Sequence, residues 1–356
     1  MKISRIFFSL ILSVSISVPS FGADFGTVVD IGQYSMVVSP YVYKALGGKT
    51  KSNWQRMSCS NAASVALMVG TVEGLKHIVK SERPDMTDNR SFPSGHTAWA
   101  YLGAGIIDYE AGWRSPLYSI GAYSLASAIG AQRILSHRHH PVDVMVGAVI
   151  GIGASRAGYM LNDLIFKKSP PQFKEFVEDG KSLQFSISSS LLIPLNGISV
   201  PTYSGFSSSE MQTMADVDFA VNQKVKLGGG VGLRLRSIRG LAEESSPEVE
   251  KKILPRVAAS FNHQLGKSLL LGCHADAGLA INVTDYDNHL NAKRVRPCGG
   301  VSAILDLATS DNSSMGLIVG YDMTSSEYFY HYGGVNIDVS KTVSSIEIGF
   351  RTSWRF

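Results

Sequence analysis

Cysteine is scarce: the chain has three in 356 residues, Cys59, Cys273 and Cys298. That excludes a fold stapled by many disulfides and leaves at least one thiol unpaired within a monomer. A Cys273–Cys298 bridge stays open in an oxidising compartment. Charge is also lean. Charged residues are 17 % of the chain and the formal net charge is +4, too little for a nucleic-acid binder. Long apolar runs are missing from the body of the chain. Glu73 and Lys76 interrupt one candidate helix and Asp143 and Arg156 another, so neither offers 18 uninterrupted apolar residues. The composition is therefore not that of a polytopic membrane protein, and the helices read as a soluble or membrane-touching bundle.

What is present divides the chain. Residues 1–23 read as a signal peptide: Lys2 and Arg5 open it, Ile6–Val18 is its apolar run, and Ser20-Phe21-Gly22 supplies small residues at a cleavage site. Residues 24–168 read as a helical domain. After a mixed lead-in and a polar loop (47–58), helices are expected over 61–80, 96–107, 116–135 and 141–165. Arg83-Pro84 follows the end of the first of these, and Pro141 opens the last. Residues 169–181, rich in lysine and proline, read as a linker.

From 182 to 356 the periodicity changes from helical to two-residue. Val225, Leu227, Val231 and Leu233 alternate with Lys226, Gly228, Gly232 and Arg234. Nine candidate strands emerge: 183–193, 214–222, 225–236, 253–263, 269–282, 299–307, 315–323, 331–339 and 346–356. Several are near ten residues long, each with one apolar and one polar face. That pattern predicts an all-β antiparallel transmembrane barrel of 8–10 strands, with Trp354 and Phe356 ending the last strand. Nine is odd, whereas such barrels have even strand numbers, so one candidate has been split or missed. The expected fold class is thus an N-terminal all-α bundle followed by this barrel.

The chemistry lies within 68 residues of the helical part: Lys76-x6-Arg83-Pro84, then Pro93-Ser94-Gly95-His96, then Arg133-x5-His139-x3-Asp143. Three cations, two imidazoles, a carboxylate and a Ser-Gly turn suit a phosphate oxyanion attacked by a histidine. Residues 24–170 carry 14 Lys/Arg against 10 Asp/Glu, so this is also the basic part of the chain. The three segments, in this order and spacing, resemble the signature motifs of the type 2 phosphatidic acid phosphatase superfamily, which also includes bacterial acid phosphatases and vanadium haloperoxidases. The resemblance covers about residues 60–165. Gln132 stands where the family usually has serine before the motif arginine.

The resemblance implies roles. Lys76, Arg83, Ser94, Gly95 and Arg133 bind phosphate. His139 is the nucleophile that forms a phosphohistidine, His96 protonates the leaving group, and Asp143 holds the other ring nitrogen of His139. It implies a phosphatase of phosphate monoesters or pyrophosphates with no metal and no cofactor. The expected substrate is a phosphorylated lipid or small phosphate ester, the expected partner the outer membrane, and the expected setting a catalytic domain facing the periplasm. A zinc site of His137, His139 and His140 is disfavoured, because adjacent histidines seldom converge on one ion. Two alternatives stay open: a vanadium-dependent haloperoxidase-like enzyme, and a non-enzymatic barrel or channel with a helical binding domain.

Overall fold

The computed structural model describes residues 25–165, 183–195, 210–238, 248–283, 295–309, 312–332 and 335–356. The expected signal peptide and linker, and most of the loops 196–209 and 239–247, lie outside them. The described residues form five helices followed by a closed eight-stranded antiparallel barrel.

The helices are α1 (Phe25–Ala45), α2 (Trp54–Val79), α3 (Gly95–Ala111), α4 (Pro116–Leu135) and α5 (Pro141–Ile165). α2 starts seven residues before the expected 61, because Asn53 caps it by accepting the Arg56 N–H at 2.8 Å. Its end is set by Lys80, which adopts the left-handed conformation. α4 and α5 have the expected bounds, each opening on proline, which suits a first turn whose N–H groups are unpaired anyway.

α3 is buried along most of its length, as a helix apolar on nearly all sides must be. Ala98, Leu102 and Ile106 pack with Met68 and Val72 of α2 and with Ala154 and Tyr159 of α5. At its C-terminal end the buried Glu110 accepts the Tyr159 hydroxyl and the Ser52 N–H, both at 2.8 Å. Asp108 pairs with Arg156, and Arg56 reaches Asp163 at 2.6 Å. One end of α3 is thus tied down by a buried polar network, which leaves the other end to present Ser94, Gly95 and His96 from a fixed position. By length and composition α2 and α5 would each be able to cross a membrane. Neither helix has 18 uninterrupted apolar residues, but the mean hydropathy of each remains high despite its few charges.

The barrel strands are β1 (Leu183–Pro194), β2 (Glu210–Ala220), β3 (Val225–Ile238), β4 (Glu248–Gln264), β5 (Leu269–Asn282), β6 (Val295–Ala308), β7 (Ser313–Tyr332) and β8 (Val335–Arg355). Each pairs with the next, and β8 returns to β1 with Gln184 opposite Arg355. The even count resolves the ninth candidate. The candidate 331–339 divides between the end of β7 and the start of β8, which pair with Tyr332 opposite Val335.

The barrel is polar inside and apolar outside. Leu227, Val231, Val257, Phe261, Val301 and Leu317 are exposed on its surface, while Lys226, Arg234, Arg236, Arg256, Asp306 and Arg351 are buried. In the lumen Asp322 is held between Arg234 at 2.7 Å and Arg256 at 2.9 Å, and Arg256 also reaches Asp276 at 2.7 Å. Arg351 pairs with Asp306. A soluble sandwich buries its apolar face; the inverse pattern is that of a barrel whose surroundings are hydrocarbon. The ionic filling also removes the physical basis for a wide channel. Cys273 and Cys298 are free thiols: Cys273 pairs with Ala303 and Cys298 with Gly278, five register positions away, and only Cys298 is buried.

Candidate functional site

The chain forms two compact units. Lys76, Ser94, Gly95, His96, Arg133 and His139 belong to the first, while Arg83 and Asp143 fall in short stretches (83–87 and 140–145) grouped with the second.

In the first unit, Lys76 lies on the last turn of α2, and its Nζ is 3.6 Å from where a Cβ on Gly95 would be. The lysine from the first motif and the glycine from the second therefore meet. Ser94 is the N-cap of α3 and is fully buried. Its Oγ accepts from the Thr97 amide at 3.5 Å and the Thr97 hydroxyl at 2.9 Å. Both contacts use its lone pairs, so its own hydrogen is left to donate. The first amides of α3 have no helical acceptor, and with the dipole behind them they favour an anion at this end. Gly147 of α5 packs against the same cap: a Cβ there would stand 2.5 Å from the Ser94 carbonyl oxygen. Only glycine lets the two helices approach this closely.

His139 is buried, 1 % exposed. Its Nδ1 lies 2.8 Å from the carbonyl oxygen of Ser91. Its amide and that of Arg138 both donate to the Arg133 carbonyl, at 3.2 and 3.1 Å. That double bond draws the third motif into a tight turn, with His137 at φ 56°, and brings Arg133 and His139 together. Arg133 is itself nearly buried, and His96 and Lys76 are partly exposed.

In the second unit, the Met86 amide donates to the Arg83 carbonyl at 2.9 Å, a turn that follows Pro84. Asp143 Oδ2 accepts the His140 amide at 2.8 Å. Asp143 is the third residue of α5, so this is the return half of a capping box. Nδ1 of His139 is met by the Ser91 carbonyl, an acceptor outside the three motifs. Ser91 was missed because a backbone acceptor leaves no signature in side-chain type. Among the described residues no group of three or more His, Cys, Asp or Glu side chains converges as a metal site would.

The sequence profile of the PAP2 superfamily matches residues 58–164. The chain is 39 % identical over 145 residues to a lipid A 1-phosphatase of Porphyromonas gingivalis, a match covering 40 % of this chain and 33 % of that protein. It is 33 % identical over 84 residues to a probable diacylglycerol pyrophosphate phosphatase 1 of Schizosaccharomyces pombe, covering 20 % of this chain and 29 % of that one. The chain thus spans about a third of the length of these curated relatives. Among solved structures, Aquifex aeolicus LpxE aligns with 43 % of this chain and 92 % of its own at 22 % identity and a TM-score of 0.29. Neisserial surface protein A aligns with 50 % of this chain and 98 % of its own at 12 % identity and a TM-score of 0.35. All three motifs fall inside the matched segment, and residues 58–164 are a PAP2 superfamily domain.

Proposed function

We propose that the protein is a phosphatase that hydrolyses phosphate monoesters or pyrophosphates of lipids through a phosphohistidine intermediate, anchored at the outer membrane by its barrel. The observation that carries the mechanism is the bond between His139 and Ser91. A carbonyl oxygen can only accept, so the ring proton resides on Nδ1 and the lone pair on Nε2, the atom that acts as nucleophile. His139 Nε2 attacks phosphorus, the bond to the leaving oxygen breaks, and His96 protonates that oxygen. Water then attacks the phosphohistidine, the P–N bond breaks, and His96 takes up the proton. Lys76, Arg83 and Arg133, with the Ser94 hydroxyl and the Gly95 amide, balance the charge on the equatorial oxygens. Three fixed cations do there what a metal does elsewhere.

The names of the relatives support a lipid substrate: one acts on lipid A, another on diacylglycerol pyrophosphate. The inverted polarity of the barrel supports the membrane anchor. The chain enters the barrel at Leu183 and leaves it at Arg355, on the side of the short turns 221–224, 265–268 and 309–312. Short turns face the periplasm in bacterial barrels, which favours a periplasmic helical domain.

The test is phosphate release by the purified full chain from lipid A, phosphatidic acid, polyprenyl pyrophosphate and p-nitrophenyl phosphate. His139→Ala should lower every rate by about 10³-fold or more. Undiminished hydrolysis by that variant would sink the mechanism.

A further inference from the structure

No large apolar side chain among the described residues is more exposed than Ile78, at 78 %, and Val79 beside it is 47 % exposed. Both are on the last turn of α2, within three residues of Lys76. Helix ends in water normally carry polar residues. Here two β-branched apolar side chains stand out from the fold next to the expected phosphate site.

Hydrogen bonds connect this tip to the nucleophile. The Ser81 carbonyl, two residues beyond Val79, accepts the Ser91 amide at 2.9 Å, and the Ser91 carbonyl accepts His139 Nδ1 at 2.8 Å. Four residues before His139 in sequence, Leu135 is also exposed, at 37 %, and so is Arg138. Lys80, which ends α2, is exposed as well. The rim of exposed residues around these motif ends therefore combines Ile78, Val79 and Leu135 with the cations Lys80 and Arg138, with Glu82 the acidic neighbour two residues beyond Lys80. Apolar side chains interleaved with cations are what an anionic lipid surface binds: the first enter the acyl boundary, the second meet headgroup phosphates. A soluble phosphate ester needs only the cations.

We propose that this rim is an interfacial docking surface that seats the site on the headgroup layer of an anionic bilayer, with Ile78 and Val79 as the inserted residues. It rests on the phosphatase reading and adds how lipid substrate is reached and which residues favour it over soluble esters.

The experiment uses the full chain reconstituted in phosphatidylcholine vesicles containing phosphatidic acid, with p-nitrophenyl phosphate as the soluble substrate. The double substitution Ile78→Ser and Val79→Ser should lower the lipid rate about tenfold or more and leave kcat/KM on the soluble ester unchanged. Loss on both substrates alike, or on neither, overturns the docking role. A second variant guards against misfolding: Ile78→Trp should hydrolyse the soluble ester normally, and its added tryptophan emission should shift to the blue when anionic lipid is included. An emission unaffected by lipid also overturns the proposal, as it would if the tip instead covered a protein partner. Failure of the underlying phosphatase reading looks different: the wild type and His139→Ala would then match on both substrates.

Discussion

The imidazole of His139 is held by Ser91, 48 residues earlier, with Nδ1 2.8 Å from its carbonyl oxygen. Ser91 is in turn fixed by its own amide, bonded to Ser81. The His139 ring, the proposed nucleophile, is therefore oriented by main chain, which no side-chain substitution at Ser91 removes. Ser91→Ala should retain most activity, unlike any change at His139.

The leaving-group role proposed for His96 predicts a dependence on substrate. His96→Asn should slow hydrolysis of an alkyl phosphate by about 10²–10⁴-fold. The effect on p-nitrophenyl phosphate should be far smaller, since nitrophenolate departs without a proton. Equal losses of kcat on the two esters would remove His96 from that role.

Asp143 has a structural task as the return half of the α5 capping box. Asp143→Ala should destabilise the protein by about 1 kcal/mol. Asp143→Asn keeps an acceptor oxygen and should restore most of that. Thermal unfolding of the two variants separates this role from chemistry; equal stabilities would contradict it.

Gly147 permits the close approach of α5 to the Ser94 carbonyl. Gly147→Ala should cost about 1–3 kcal/mol through overpacking. Because the strain falls on the cap that holds Ser94 and Gly95, KM for phosphate esters should rise as well. A variant with unaltered Tm and KM would show that the helices part freely.

In the barrel, Asp322 bridges Arg234 and Arg256 inside the lumen. Asp322→Ala should cost about 3 kcal/mol by leaving buried positive charge undercompensated. On the outer face, Val257→Arg should cost about 2–4 kcal/mol if it lies near the bilayer midplane, whereas Val257→Leu should be nearly neutral. Urea unfolding in lipid vesicles measures each. Tolerance of arginine at 257 would argue against a hydrocarbon surrounding.

Local pattern made much of this protein legible in its sequence. Helical spacing and opening prolines gave α4 and α5 their bounds, and strict alternation distinguished the strands. The motif residues could be named because phosphate chemistry needs particular side chains at short spacing. The PAP2 match over residues 58–164 spans all three motifs. The strand count was less secure: residues 331–339 alternate as well as any strand, and only pairing shows that a hairpin turns within them.

The sequence by itself determined which groups are present, which segments are helix or strand, and that phosphate is the ligand they suit. The tertiary structure decided what depends on neighbours distant in the chain. The Ser91 carbonyl meets Nδ1 of His139, an acceptor that every residue type contributes and that only the fold selects. The charged face of the strands points into the barrel and the apolar face out of it, because closure of β8 on β1 creates an inside too small for water alone and fills it with paired ions. The exposure of Ile78 and Val79 is likewise a property of the folded chain, since the same residues on a packed helix end would be ordinary core.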